Sequence, residues 1–538
     1  MLVIGGGATG LGTALDAASR GYKTLLLEKD DFAKGTTSKS TKLVHGGVRY
    51  LSQGELSLVF GALRERGILL RNAPHTVSNL SFVIPAYRWW EKPWYGTGLK
   101  IYDRMAGNRS FGRSRLLSVA EAVDHLPTLK LGDLKGGILY HDGQFDDARL
   151  AVNLMQTIFE QGGVAVNYME VTGFLKSGSK ITGVRAVDRE SGDATELHAR
   201  AVVNATGVFT DRIRSLANPD SRPLLRMSQG THIVLDRRFQ PGRSAMMIPR
   251  TSDKRVLFAV PWHDKVVIGT TDTPVEGPSN EPRPKREELE FLLNHTALYL
   301  KDAPEPDDVR SAFTGLRPLV QESGSSDTRE ISRDHAIFTD SSGLITITGG
   351  KWTTYRKMGE DTIEEVIRTA GLERRPCITE NLKLHGWTEP AAGRTEGSDH
   401  PYRLYGSDAD ELHDLEQTLS ASDIGSDSDG EDRDVAVPEG EPEIEGGSES
   451  PLLHKELPLR SAHVVWAVRN EMARTVEDVL SRRTRSLLLN TRASVEAAPL
   501  VAKIMAQELN RSDKWIEEQL KSYRELASGY EYSSLVQK

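Results

Sequence analysis

Three glycines near the start of the chain constrain the fold more than any other feature. Gly5, Gly7 and Gly10 have the spacing G-x-G-x-x-G, between a short apolar run and an alanine-rich segment of helical character. In such a βαβ unit the first glycine permits a tight turn, the second lets a pyrophosphate approach the backbone, and the third lets helix and strand pack closely. Glu28, 18 residues beyond Gly10, ends the next apolar run, where a carboxylate can accept a hydrogen bond from a ribose hydroxyl. The pattern predicts an α/β fold that binds a dinucleotide.

The bulk composition bounds the remaining possibilities. At about 150 residues per domain, 538 residues predict two to four domains. The formal net charge of -8 argues against nucleic-acid binding, so that any anion site must be local. Cys377 is the single cysteine, which excludes an intrachain disulfide and a multi-cysteine metal cluster, and no metal site is predicted. The sequence has no uninterrupted apolar run of about 18 residues, so no membrane-spanning segment is predicted.

Two later stretches repeat the glycine-turn theme. "AVVNATGVFTD", residues 201–211, is a buried type of strand that ends in a turn at Gly207. "LITITGGKWTTYRKMGEDTIEEVIR", residues 344–368, is a strand, a turn at Gly350 and an amphipathic helix. Each stretch alone is also compatible with plain α/β architecture. Together with the first unit they predict one cofactor lying across a composite domain.

The composition and the hydrophobic pattern change twice in the rest of the chain. Between 216 and 340, runs such as "GTHIVLD" and "RVLFAVPW" predict a largely antiparallel sheet inserted into the nucleotide-binding domain. The stretch 423–449 is crowded with Asp, Glu, Gly, Ser and Pro, which is typical of a disordered acidic segment. After about residue 456 the pattern is helical.

Two short segments suggest binding surfaces. "LVHGGVRYL", residues 43–51, puts paired glycines beside Arg49, whose guanidinium suits an anion. A Gly-Gly pair is also an ordinary turn. "YRWWEKPWYGTGLKIYDRMAG", residues 87–107, mixes aromatic and basic side chains as an element lying at a membrane interface would. An aromatic surface patch or a domain contact explains that composition equally well.

The sequence motifs described so far, with several others, resemble those of the FAD-dependent, aerobic glycerol-3-phosphate dehydrogenases, within the D-amino-acid oxidase-like flavoprotein superfamily. The resemblance covers nearly the whole chain, and its specific pieces follow the family's order: "STKLVHGGVRYL", "GTHIVL", "IGTTDT", "FTGLRPLV", "ISRDHAI" and "GGKWTTYRK". It implies FAD as the cofactor and an α/β, Rossmann-like FAD-binding domain with an antiparallel β-sheet substrate-binding cap and a C-terminal helical domain. The implied domains are an oxidoreductase domain at 1–385, an acidic, partly disordered linker or insertion at 386–455 and a helical domain at 456–538. Within the first domain, the FAD-binding segments are at about 1–80, 140–215 and 340–375, and the cap is at about 81–139 and 216–339.

The resemblance also implies the site residues. The cofactor-binding set is Gly5, Gly7, Gly10, Glu28, Thr37, Ser38, Ser40, Thr41, Lys42, His45, Gly46, Gly47, Gly207, Gly350 and Thr353. The substrate-binding set is Arg49, Tyr50, Thr271, Arg317, Arg333 and Lys351, in which the arginines would hold a dianionic phosphate. The catalytic set is His232 as general base, with Arg317 and Lys351 supplying positive charge. His232 could equally be a satisfied core residue and Lys351 a structural support of the flavin, with His45, His335 and Thr271 as substitutes in supporting roles.

The activity implied is oxidation of sn-glycerol 3-phosphate to dihydroxyacetone phosphate by hydride transfer to N5 of FAD. A membrane quinone would accept the electrons, which implies a peripheral enzyme on the cytoplasmic face of the membrane; a homodimer is possible and no nucleic-acid partner is expected. The alternatives are a soluble oxidase that uses dioxygen, another oxidase of the same superfamily, and a flavin-binding module without catalysis.

Overall fold

A computed structural model describes residues 1–48, 55–107, 111–253, 255–320, 335–389, 402–419 and 452–536. The predicted site residues Arg49, Tyr50 and Arg333 lie outside these ranges, as does the acidic segment 423–449.

The secondary structure of the described residues alternates strands and helices before a helical C-terminal part. The strands are β1 (Leu2–Ile4), β2 (Leu25–Leu27), β3 (Leu43–Val44), β4 (Val77–Pro85), β5 (Arg115–Leu117), β6 (Gly137–Phe145), β7 (Val164–Val166), β8 (Met169–Ser177), β9 (Lys180–Asp188), β10 (Ala194–His198), β11 (Val202–Asn204), β12 (Leu225–Asp236), β13 (Ala245–Ile248), β14 (Leu257–Trp262), β15 (Lys265–Gly269), β16 (Thr273–Val275), β17 (Val309–Val320), β18 (His335–Thr339) and β19 (Ile345–Gly349). The α-helices are α1 (Ala8–Ser19), α2 (Leu56–Asn72), α3 (Glu91–Ala106), α4 (Val119–His125), α5 (Asp147–Glu160), α6 (Thr210–Ala217), α7 (Arg286–Ala297), α8 (Tyr355–Ala370), α9 (Ala409–Thr418), α10 (Ser461–Asn470), α11 (Ser486–Leu489), α12 (Thr491–Leu509), α13 (Asp513–Ala527) and α14 (Tyr532–Val536).

A six-stranded sheet carries the glycine turns. Its strand order is β18-β19-β11-β1-β2-β7, and all pairings except β18–β19 are parallel. Helices α1, α5 and α8 pack against it through one continuous apolar core. Strands β1, β2 and β7 are uninterrupted apolar runs, as expected of a parallel sheet that is covered on both faces. The predicted Rossmann-like domain is confirmed.

A ten-stranded sheet forms the cap. Its order is β16-β12-β15-β14-β13-β4-β6-β3, with β17 paired to β12 and β5 paired to β6. Every pairing is antiparallel except β13–β4. This agrees with the predicted antiparallel insertion. The sheet also takes in β3, which lies in the segment assigned to FAD binding, so the two layers meet there.

The C-terminal helices pack around α10, α12 and α13. Their apolar core also includes Val234, Trp262 and Phe313 of the cap sheet. Residues 402–419 differ from the sequence prediction of a linker, because Tyr402, Tyr405 and Leu412 are buried with side chains of α10. The C-terminal unit therefore begins before residue 456.

Buried ion pairs tie these helices to the first domain. Asp31 accepts hydrogen bonds from Arg482, and from Arg483 at 2.7 and 2.8 Å, with all three side chains almost without solvent exposure. Burial alone would raise the pKa of Asp31, but the two guanidinium groups hold it well below its ordinary value. Removing one partner would leave buried charge without compensation.

Within the described ranges, each helix is too short or too polar to cross a lipid bilayer.

Candidate active site

The first glycine turn is built around close backbone contacts. Gly5 has φ +109°, and a Cβ there would lie 2.7 Å from the carbonyl oxygen of Ala205. A Cβ on Gly10 would lie 1.8 Å from the carbonyl oxygen of Gly5. Side chains are thus excluded at both positions, and the N-terminus of α1 opens directly into a groove.

Glu28 and Thr37 close this groove from the side. The Glu28 carboxylate accepts hydrogen bonds from the backbone amides of Gly6 at 2.5 Å and Asp30 at 2.9 Å. Burial raises the pKa of Glu28, and those amide contacts oppose the shift. The Thr37 hydroxyl accepts from the amide of Ala8 at 3.0 Å. A carboxylate at this depth suits a ribose hydroxyl.

The two later glycine turns reach the same groove. Gly207 and Gly350 both line it, together with Gly5, Gly7 and Glu28, around about 1280 Å³ of empty space. Trp352 follows the third turn, and its indole Nε1 donates to the carbonyl oxygen of Thr37 at 2.8 Å, which joins that turn to the first segment.

A second cavity, of about 1700 Å³, adjoins the groove. One long ligand can extend from the first into the second, because the two share six lining residues: Thr36, Pro318, Gly349, Gly350, Lys351 and Trp352. A glycine cradle at one end and a cavity of mixed polarity at the other fit FAD.

His232 lies in this second cavity on β12. Its Nε2 is 2.9 Å from the hydroxyl of Thr41, and its ring stacks on Phe313 with the centroids 4.7 Å apart. The residue is only 3% exposed. Burial, and then the charges of Arg317 and Lys42, lower its pKa well below 6.5. The imidazole is therefore neutral and able to accept a proton.

Arg317 lies on β17, the neighbouring strand. Across the antiparallel pair, His232 faces Phe313 and Ser228 faces Arg317, so the period of two puts His232 and Arg317 on one face. The guanidinium donates to Asp272 at 3.2 Å, to the Thr270 hydroxyl at 3.2 Å and to the carbonyl oxygen of Thr271 at 3.1 Å. These contacts fix the cation at the cavity wall.

Several other predicted residues meet at the same place. The second cavity is lined by Ser40, Thr41, His45, Gly47, Gly350, Lys351 and Thr353. The amide of His45 donates to the Thr353 hydroxyl at 3.3 Å, which joins the segment after β3 to the third glycine turn. Lys351 lines both cavities.

Lys42 and Ser38, both predicted along the flavin, lie outside the lining of the two cavities. Lys42 is fully buried, and its Nζ donates to both carboxylate oxygens of Asp147 at 2.8 Å and to the carbonyl oxygen of Ser38 at 2.7 Å. A buried ammonium requires such compensation, so Lys42 supports the site from behind.

Three further predicted residues, Thr271, Gly46 and His335, are not among the lining residues of the two cavities. The Thr271 hydroxyl donates to Glu288 at 3.0 Å, and its neighbour Thr270 lines the cavity in its place. The amide of Gly46 donates to the Tyr102 hydroxyl at 2.9 Å, which turns it away from the lining formed by His45 and Gly47. His335 pairs with Asp361 at 3.0 Å and is not a lining residue of either cavity.

Sequence reasoning missed the carboxylates behind the site. Asp272 orients Arg317, and Asp147 holds both Lys42 and the hydroxyl of Ser40, the latter at 2.6 Å. An aspartate carries no distinctive local pattern, and Asp147 reads as an ordinary residue of a helix first turn. The apolar side of the second cavity was also missed; it comprises Leu43, Val48, Phe82, Tyr140, Met247, Val256 and Phe258.

Family models cover both parts of the chain. The model described as FAD dependent oxidoreductase matches residues 1–356, and that described as C-terminal domain of alpha-glycerophosphate oxidase matches residues 377–516. The second match begins close to the folded segment 402–419.

Curated relatives align over nearly the full chain. The mitochondrial glycerol-3-phosphate dehydrogenase of Homo sapiens is 39% identical over 554 residues, covering 97% of this chain and 72% of the relative. The mitochondrial enzyme of the same name from Schizosaccharomyces pombe is 36% identical over 575 residues, covering 99% of this chain and 88% of the relative.

Solved structures share the fold. The glycerol-3-phosphate dehydrogenase from Bacillus halodurans, complexed with FAD, has a TM-score of 0.75 and 29% identity, and the match covers 98% of this chain and 94% of that one. L-alpha-glycerophosphate oxidase from Mycoplasma pneumoniae has a TM-score of 0.55 and 13% identity over 71% of this chain and 97% of that one. The second likeness concerns the fold alone.

Proposed function

Because the chain belongs to the family of FAD-dependent glycerol-3-phosphate dehydrogenases, we propose that it oxidises sn-glycerol 3-phosphate to dihydroxyacetone phosphate. The observation that carries the proposal is the meeting of His232, Arg317 and Lys351 in a cavity that adjoins the glycine cradle. Bound FAD supplies the two-electron acceptor for the hydride that leaves carbon 2.

We propose that His232 accepts the proton of the substrate hydroxyl. Burial and the nearby charges of Arg317 and Lys42 lower the pKa of His232. The imidazole is therefore neutral near pH 7 and has the free lone pair that a general base needs, although the lower pKa also makes it a weaker base. The Thr41 hydroxyl and the ring of Phe313 hold it in one orientation. Thr41 lines the same cavity and lies within hydrogen-bonding distance of the atom that receives the proton.

We propose that Arg317 and Lys351 bind the substrate phosphate. A guanidinium binds phosphate through a pair of parallel hydrogen bonds, and Asp272 presents Arg317 in a fixed direction. Lys351 adds a second cation at the junction of the two cavities. Arg49, Tyr50 and Arg333 enter the proposal through the family resemblance alone, since they lie outside the described ranges.

Anaerobic titration tests the reaction directly. The purified flavoprotein is mixed with sn-glycerol 3-phosphate without oxygen, and the absorbance of oxidised flavin is followed. We expect the band to disappear at about one equivalent of substrate, whereas glycerol leaves it unchanged because it lacks the phosphate. A flavin that stays oxidised would contradict the proposed reaction.

For the electron acceptor we propose a quinone at a membrane surface. Trp89 and Trp94 are 81% and 68% exposed at the start of α3, beside the basic side chain of Arg88, as an interfacial anchor requires. Lipid vesicles should retain the wild-type protein and release the double variant Trp89→Ser, Trp94→Ser. Leu298→Ser, at another exposed apolar position, is the matched control and should stay bound.

The same preparation separates quinone from dioxygen. After reduction by substrate, reoxidation by a water-soluble quinone analogue should be much faster than reoxidation in air. Stoichiometric hydrogen peroxide in air would instead favour an oxidase. A homodimer, the remaining predicted assembly, is tested by the mass in sedimentation.

A further inference from the structure

A large cleft lies apart from the two cavities described above. It has a volume of about 910 Å³ between the cap sheet and the C-terminal helices, and none of its lining residues lines the flavin groove or the substrate cavity. Strands of the cap sheet, including the ends of β6 and β12 and the β14–β15 turn, meet residues 403–405 and parts of the segment 452–485 there. Its size is that of an organic ligand site.

Cationic side chains dominate this cleft. Seven lysines and arginines line it against four acids, in a chain whose formal net charge is -8. The basic residues are Lys265, Arg310, Arg403, Lys455, Arg460, Arg483 and Arg485. Arg483 is already paired with Asp31, as described above, and Arg310 pairs with Asp236 at 2.6 Å, so the anion site rests on Arg485 and Lys455.

Arg485 lies in the inner wall. It is 5% exposed with φ +60°, and its Nε is 3.1 Å from Asp146 in a geometry that makes no hydrogen bond. Burial lowers the pKa of His463, and the charges of Arg485, Arg149 and Arg460 lower it further, to about 3. The effect of the three arginines shows that the surroundings of this residue are positive. Lys455 stands at the rim with its side chain exposed.

The cleft also offers apolar surface. Leu452 lines it with 45% of its surface exposed, and Trp262, Tyr405 and Leu457 lie behind it at 2 to 4% exposed. The ring of His263 packs edge-on against Trp262 with the centroids 4.9 Å apart. Planar and aliphatic groups beside arginines suit a ligand that joins a ring to an anion.

Two consecutive residues connect the cleft with the proposed active site. Asp146 lines the cleft and caps α5, while Asp147 holds Lys42 and Ser40 behind the substrate cavity. An anion that competes with Asp146 for Arg485 would disturb this N-terminus and, through it, the segment that carries Thr41.

We propose that the cleft binds an organic phosphate with an aromatic ring, of the nucleotide class, as an effector. Arg485 and Lys455 bind the phosphates, and the side chains around Trp262 contact the ring. Binding itself does not depend on the proposed reaction, whereas the coupling to the substrate site does.

Calorimetric titration of the FAD-loaded protein with ATP, tripolyphosphate and adenosine tests the site. ATP should bind saturably and more tightly than either fragment, and Lys455→Glu should weaken it about tenfold, which corresponds to a loss of one favourable charge contact and its replacement by repulsion. Lys514→Glu is the matched control, since Lys514 is an exposed lysine of the same helical unit away from the cleft. It should bind ATP as the wild type does.

Three results would overturn the site: no saturable ATP binding, equal affinities in the two variants, or release of one flavin for each ATP bound. Tripolyphosphate binding as tightly as ATP would overturn the role given to the ring. For the coupling, saturating ATP should change the KM for sn-glycerol 3-phosphate at least about twofold in the wild type and in Lys514→Glu but not in Lys455→Glu. An unchanged KM in the wild type would refute the link through Asp146 and Asp147.

Discussion

The guanidinium of Arg317 donates a hydrogen bond to the carboxylate of Asp272 at 3.2 Å, and the same carboxylate accepts a hydrogen bond from the hydroxyl of Ser228. Arg317 is thus oriented before substrate arrives, which lowers the ordering cost of binding a phosphate.

Arg317→Ala should weaken substrate affinity on the order of 10²-fold, since truncating one member of a hydrogen-bonded charge pair typically costs 2 to 5 kcal/mol. The flavin should stay bound, because Arg317 belongs to the second cavity and not to the glycine cradle. Anaerobic flavin reduction at varied substrate concentration measures the change. Asp272→Asn should give a smaller loss, and an unchanged affinity in Arg317→Ala would refute the phosphate assignment.

His232→Gln should slow flavin reduction by about 10²- to 10⁴-fold, the usual contribution of a general base. The pKa of His232 lies well below 6.5, because of burial and of the charges of Arg317 and Lys42. The wild-type rate should therefore stay level as the pH falls through 6.5, where an ordinary histidine would become protonated. Stopped-flow reduction between pH 6 and 8 measures both effects, and a half-maximal rate at pH 6.5 would contradict this assignment.

Gly10→Ala should abolish stable FAD binding, because the added Cβ would lie 1.8 Å from the carbonyl oxygen of Gly5. The helix and the first strand would have to separate, and the amides that face the pyrophosphate would move with them. The flavin-to-protein absorbance ratio after gel filtration measures retention. Gly61→Ala is the control, since a Cβ there meets no atom within 4 Å, and it should retain full flavin.

Asp31→Asn should destabilise the fold by about 3 to 5 kcal/mol, since Arg482 and Arg483 would lose the buried carboxylate that they share, although Arg482 keeps its pair with Asp478. Glu190→Gln is the comparison, because Glu190 pairs with Arg474 between the same two parts of the chain at the surface. An exposed pair contributes about 0 to 1 kcal/mol. Urea unfolding measures the free energy of unfolding of both variants. Equal losses would show that the buried ion pairs contribute no more than the surface pair to holding the two parts of the chain together.

Stability should fall with rising pH through the titration of His385. Burial alone would lower its pKa, but the carboxylates of Asp408 and Glu160 raise it from 6.5 to about 9. The charged imidazole therefore stabilises the fold fully below pH 6.5, and this contribution is lost as the pH rises through 9. The melting temperature should decline over this interval in the wild type and decline less in His385→Gln; parallel curves would contradict the prediction.

The parts of the site that follow a local rule could be predicted from sequence. Gly5, Gly7, Gly10 and Glu28 follow one spacing rule within the first 28 residues, so the sequence alone could place them at one glycine turn. Lys42 was misplaced because its partner Asp147 is 105 residues away, and a lysine beside cofactor-binding residues reads as one of them.

The helical segment 402–419 illustrates a different failure. Its neighbours are so acidic that composition favoured a linker, although Tyr402, Tyr405 and Leu412 had the spacing of a buried helical face. The surface that covers them, on α10, is about fifty residues further along the chain. Composition describes a region, whereas burial depends on a distant partner.

Phe313 belongs at once to the C-terminal helical core and to the wall behind His232, on which it stacks. Among the described residues, the C-terminal helices do not line the substrate cavity, yet they support the proposed proton acceptor through the phenyl ring of Phe313. A substitution that loosens the core of those helices would therefore resemble an active-site defect. The protein would stay yellow with bound cofactor but turn over slowly.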